Sequence, residues 1–91
     1  MRTLNLESDP MAIEVTFTAD TFRVMLDDGR ELAIPLAWFP RLLHGTPEQR
    51  DQWELIGRGE GIHWEALDED ISVAGLLAGR GDQTRRGKAV A

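Results

Sequence analysis

Cysteine is absent from all 91 residues. Its absence removes disulfides, thiolate nucleophiles and thiolate metal ligands together, and leaves packing alone to hold the fold. Tyrosine is missing too, so leucine, isoleucine and valine must supply most of the core beside three phenylalanines and three tryptophans. No apolar run reaches the length that crosses a bilayer. The start, Met1-Arg2-Thr3-Leu4-Asn5-Leu6-Glu7-Ser8-Asp9-Pro10, lacks the apolar heart of a signal peptide. A cytoplasmic location with no membrane partner is therefore expected. No internal repeat or low-complexity block interrupts the chain. A chain of this size buries somewhat more than ~60% of the surface its unfolded form exposes, enough for one small core.

What the chain has in excess is acid. The formal net charge is −6, and the stretch from Arg80 onward carries Arg85, Arg86 and Lys88 against Asp82 alone. The body is thus more acidic than the total. An acidic body repels a nucleic-acid backbone, which needs cations to displace its condensed counterions, so nucleic acid is expected only through the basic tail, if at all. A short terminus with scattered arginines reads first as a solubilising end. The expected division is a tail over residues 1–11, a globular α+β domain over 12–79 and a disordered basic tail over 80–91.

Alternation predicts the first elements. Ile13, Val15 and Phe17 alternate with Glu14, Thr16 and Thr18, and Phe22, Val24 and Leu26 continue the period-two pattern. Ala19-Asp20 is short enough for a tight turn. Asp27-Asp28-Gly29 supplies a second turn, since glycine accepts a positive φ. A third strand from Arg30 to Ile34 directs Leu32 and Ile34 inward, completing a three-stranded antiparallel meander that Pro35 ends. Short helices and a short extended segment follow. Leu36, Phe39 and Leu43, with Leu42 beside them, share a helical face over about Ala37–His44, although Pro40 makes this either one helix from near Trp38 or a looser turn leading into a shorter one. Gly45 reads as the helix-end glycine.

Thr46-Pro47-Glu48-Gln49 carries a capping box with proline at the first helical position. This helix can run to about Gln52 or Trp53. Trp53, Leu55 and Ile56 then read as a short extended piece, loosely paired with Ile62-His63-Trp64 beyond the glycine-rich bend. Ser72 caps a last helix with Val73, Leu76 and Leu77 on one face, stopped by Gly79.

Several constellations invite a chemical reading. Gly57-Arg58-Gly59-Glu60-Gly61 resembles a phosphate loop only in its glycines, because a glutamate sits inside it and an extended segment, not a helix, follows. A bent connection is expected instead. His63 with Asp68-Glu69-Asp70 offers oxygen and imidazole donors for a divalent ion, but not at calcium-loop spacing. The simpler expectation is that Asp68 and Asp70 complement the amino end of the last helix and that His63 tethers backbone around the acidic turn. His44 and His63 lack a recognisable nucleophile partner, with Ser8 and Ser72 in tail-like and cap-like positions. Of the tryptophans, Trp38 is the first choice for exposure.

Asp28-Gly29-Arg30-Glu31-Leu32, Pro35-Leu36-Ala37-Trp38-Phe39-Pro40-Arg41-Leu42-Leu43, Thr46-Pro47-Glu48-Gln49-Arg50, Gly59-Glu60-Gly61-Ile62-His63-Trp64 and Leu67-Asp68-Glu69-Asp70-Ile71-Ser72-Val73 occur in that order. In these motifs the chain, over roughly Ala12 to Gly79, resembles the bacterial domain-of-unknown-function family 2442. The resemblance implies a compact α+β domain with an antiparallel sheet and short helices. It also implies an antitoxin-like role beside a neighbouring small protein, and some longer relatives append a helix-turn-helix domain for which the stretch after Gly79 is too short. It carries over no catalytic residue. Glu65 stands where the family often has proline, which loosens the approach to the acidic turn.

The leading expectation is a non-enzymatic protein-binding module, an antitoxin-like or adaptor partner of a small basic protein. It needs no cofactor and no metal. Its candidate partner-binding residues are Trp38, Arg41, Glu60, His63, Asp68, Glu69 and Asp70. The alternatives are a nucleic-acid-associated accessory acting through the tail and a small metal-dependent hydrolase using His63, Asp68 and Asp70. A homodimer through an exposed sheet edge is compatible with each.

Overall fold

The structure, a computed structural model, describes residues 10–79. The basic tail over 80–91 and residues 1–9 of the expected amino-terminal tail lie outside the described residues. Met11 belongs to the folded body: its N–H donates to Asp27 Oδ1 at 3.1 Å and its carbonyl accepts from the Asp27 N–H at 2.9 Å.

The expected meander forms. Strands β1 (Ala12–Phe17), β2 (Thr21–Leu26) and β3 (Glu31–Pro35) make one antiparallel sheet in that order. Thr18 N–H donates to the Thr21 carbonyl at 2.9 Å and closes the first turn around Ala19-Asp20. In the second turn Asp28 accepts from the Arg30 N–H at 3.0 Å and Arg30 Nε at 2.9 Å. These bonds, the backbone one foremost, hold its carboxyl below the usual range.

One side chain departs from the alternation. Ile13 was expected inward but is 55% exposed, because the register jumps from Ala12↔Leu26 to Glu14↔Met25. That β-bulge inserts Ile13 as an extra residue and flips the phase behind it. Ala12 takes the buried place instead, while Val15 stays inward.

Between the sheets the chain makes a 3-10 turn (Leu36–Trp38), α1 (Pro40–Leu43) and α2 (Pro47–Arg50). The looser of the two expected forms is the one adopted. Phe39 sits at φ −131°, ψ 89°, which breaks the helix, and Pro40 starts a new one at its first position. The break rotates the face: Leu36, Phe39 and Leu42 are buried, whereas Leu43, expected inward, is 38% exposed. Gly45 is not in the left-handed conformation expected of a helix-end glycine. A Cβ there would lie 2.9 Å from Leu67 Cδ1, so close packing explains it. The capping box is present in full, with Gln49 N–H donating to Thr46 Oγ1 at 3.1 Å and Thr46 N–H donating to Gln49 Oε1 at 2.9 Å.

The short extended segment is a complete second sheet. Strands β4 (Trp53–Ile56), β5 (Gly61–Trp64) and β6 (Glu69–Ser72) pair antiparallel in chain order. β6 corrects the reading of Asp68 and Asp70 as helix-end charges, since the acidic turn leads into a strand. Ser72 does cap α3 (Val73–Leu77), accepting the Gly75 N–H at 2.8 Å.

Both sheets, the 3-10 turn, α1 and α3 share one core, in which Phe22 meets Phe39, Phe17 and Trp64 with ring centroids 5.9–6.4 Å apart. Fully burying a side chain of this kind contributes about 1.5–3 kcal/mol. An exposed pair such as Arg23–Glu31 at 3.8 Å contributes about 0–1 kcal/mol, so packing decides the fold. The result is a single small α+β domain. Among the described residues no helix is long and apolar enough to cross a membrane.

Candidate functional site

The second sheet carries the titratable cluster. Residues directly opposite one another in antiparallel strands project on the same face. The registers Glu54↔His63 and His63↔Asp70 therefore set an acid, an imidazole and an acid in one row across β4, β5 and β6. Glu65 follows His63 by two residues and joins from the turn. His63 Nε2 meets Glu65 Oε1 at 2.8 Å, and His63 Nδ1 meets Asp70 Oδ1. These hydrogen bonds, Glu65 first and Asp70 second, outweigh desolvation and raise the His63 pKa to about 9. At neutral pH the ring is an imidazolium that donates from both nitrogens. The expected backbone tether is thus a side-chain clamp between the turn and β6.

The other candidates are distributed around the molecule. Alternation along β6 turns Glu69 to the face opposite Asp70, across from Trp64, where it is 5% exposed. Burial removes Glu69 from any partner surface. Arg41 Nη1 donates to the Asp68 carbonyl at 2.8 Å and steadies Asp68 in the left-handed conformation at φ 54°. Arg41 and Asp68 therefore meet through the backbone oxygen. Glu60 is exposed at the other end of β5, and its Oε1 accepts the Arg58 N–H at 2.9 Å. Trp38 is 37% exposed in the 3-10 turn. Among the described residues no three His, Asp or Glu gather as metal ligands.

The glycine bend has a structural task. Ala12 N–H donates to the Gly59 carbonyl at 2.8 Å, which fastens the start of the first sheet to the β4–β5 loop. A Cβ on Gly59 would sit 2.3 Å from the Ala12 carbonyl oxygen, and its φ is 114°. Only glycine fits there.

Two features escape sequence reasoning. Arg50 donates through Nε to the Leu42 carbonyl and through Nη2 to the Leu43 carbonyl, each at 2.8 Å, while its own carbonyl accepts Trp64 Nε1–H at 2.9 Å. Its position at the end of α2 is legible, but these distant partners are not. The second is the exposed apolar set of β4, Leu55 at 36% and Ile56 at 43%. Its signal is a short run that mixes Glu54 with two apolar residues outside any amphipathic pattern.

Of the five arginines between residues 12 and 79, four are engaged. Arg23 pairs with Glu31, Arg30 with Asp28, and Arg41 and Arg50 bind backbone carbonyls. Thirteen carboxylates occupy the same span, all but Glu69 exposed, so the surface presents far more acid than free cation.

A family model described as "Protein of unknown function (DUF2442)" matches residues 12–82. Among solved structures, the chain is similar to a protein of unknown function from Rhodospirillum rubrum ATCC 11170. That match has 31% identity and a TM-score of 0.72 and covers 82% of this chain and 93% of that one. An uncharacterised protein from Chromobacterium violaceum, solved by solution NMR, is similar at 28% identity with a TM-score of 0.75, over 94% of this chain and 81% of that one. No curated protein matches.

Proposed function

The chain belongs to the DUF2442 family of proteins of unknown function, and from that premise we propose that it is a non-enzymatic, antitoxin-like or adaptor module that binds a basic protein. The observation that carries this reading is the imbalance of charge just described, twelve exposed carboxylates against five arginines, two of which are paired with carboxylates and two of which are turned onto backbone carbonyls. Complementary fields steer encounter and reject partners of the same sign. Exposed Trp38 supports it further, since a partly buried indole on a surface is a frequent interface anchor. Both nitrogens of His63 are taken by carboxylates, which leaves that ring as a clamp rather than a base.

The test is affinity purification of the full chain from its native host at low and high salt, beginning with the product of the neighbouring gene. A stoichiometric basic protein that dissociates as salt rises is the expected result. Recovery of no stoichiometric protein at any salt concentration would sink the reading.

A further inference from the structure

The four strand edges of this domain are not equally protected. An open edge is a row of unpaired N–H and C=O groups, and proteins blunt such edges with bulges, prolines, charges or covering elements. β1 is bulged at Ile13, β3 ends in Pro35, and β6 runs straight into α3. β4 has a ladder partner on one side only, contains neither proline nor bulge, and keeps three successive residues, Glu54, Leu55 and Ile56, exposed. β1 approaches it at the Ala12–Gly59 bond, yet Leu55 and Ile56 remain open to solvent.

The charge around that edge is mostly acidic, with exposed Arg58 in the loop after β4 the exception. Glu48 and Asp51 lie just before β4, Glu54 is on it and Glu60 follows it, all exposed. The nearby Arg50 guanidinium is turned onto the carbonyls of Leu42 and Leu43. From the ladder side of β4 that lacks a strand partner, its exposed apolar residues and this mostly acidic border, we infer that β4 is a docking edge that takes an extended, basic segment of a partner protein as an added strand. The inference rests on the partner-binding reading and deepens it. The added strand sets cations on the outer face, one opposite Glu54 and one whose aliphatic stem lies along Ile56, and an apolar side chain opposite Leu55 on the other face, while its backbone completes the ladder. A second copy of this chain is a poor occupant, because it would bring two acidic edges together.

The probe is a short synthetic peptide alternating lysine and valine, titrated into the isotope-labelled full chain and read by amide chemical shifts and hydrogen exchange. Saturable shifts and slowed exchange at Glu54–Ile56 are expected. Glu54→Lys should weaken binding about tenfold, and Glu31→Lys, on the other sheet, should leave it unchanged. A matching glutamate–valine peptide should not bind. Shifts centred elsewhere, equal binding of the acidic peptide, no saturable shift, or β4 amides already protected in a homodimer would each overturn the inference. If a co-purified basic protein leaves its footprint at Trp38 and not at β4, the edge inference fails and the parent reading stands. If the lysine peptide seats on β4 but no basic protein co-purifies, the parent reading fails and the edge stands.

Discussion

His63 is held between Glu65 and Asp70, and its charge is part of the clamp. Its pKa rises from an ordinary 6.5 to about 9 in the folded chain, so the folded state binds the proton more tightly than the unfolded state. The stabilisation is complete below the unfolded value and is lost as pH rises through the folded one. Urea midpoints of the native chain and a His63→Asn variant should therefore differ most at acidic to neutral pH and converge above about pH 9. A constant difference across that window would contradict the clamp. Ile13 and Val15 make a second comparison at this scale, because alternation alone directs both inward. Exposed Ile13→Ser should change stability by less than about 0.5 kcal/mol. Val15→Ala, at a site 4% exposed, should cost about 1–2 kcal/mol in chemical denaturation. The difference lies in pairing with β2, which the local sequence of β1 does not record.

Elements were legible where their signals are local. The capping box at Thr46–Gln49 depends on residues three apart and forms as written; Thr46→Ala should lower stability by about 1 kcal/mol, with loss of protection at the Gln49 amide in hydrogen exchange. The first meander was legible for the same reason, since its turns sit directly between alternating runs. β6 was not. Its four residues, Glu69-Asp70-Ile71-Ser72, hide a strand behind an acidic run, and β5 specifies it by pairing Ile62 with Ile71 and Trp64 with Glu69. The same limit misled the site: the acidic run looked like one surface cluster until strand alternation sent Asp70 outward and Glu69 into the interior.

At the scale of the whole molecule, the net acidity was readable from composition, but its availability was not. The arginines had to be seen on Glu31, Asp28 and backbone carbonyls before the surplus of carboxylate became a property of the surface. That distinction separates two contributions to binding. Long-range charge acts on encounter and is screened over about 8 Å at physiological ionic strength, whereas a packed aromatic acts after contact, on dissociation. For the proposed basic partner, raising salt from low to high should therefore slow association by about tenfold or more while changing dissociation far less. Glu54→Lys should flatten that salt dependence. Trp38→Ala should leave the dependence intact and speed dissociation, and an unchanged dissociation rate would remove the indole as an anchor. Stopped-flow or surface-based kinetics measure both rates. A partner whose association is indifferent to salt would show that the acidic surface takes no part in recognition.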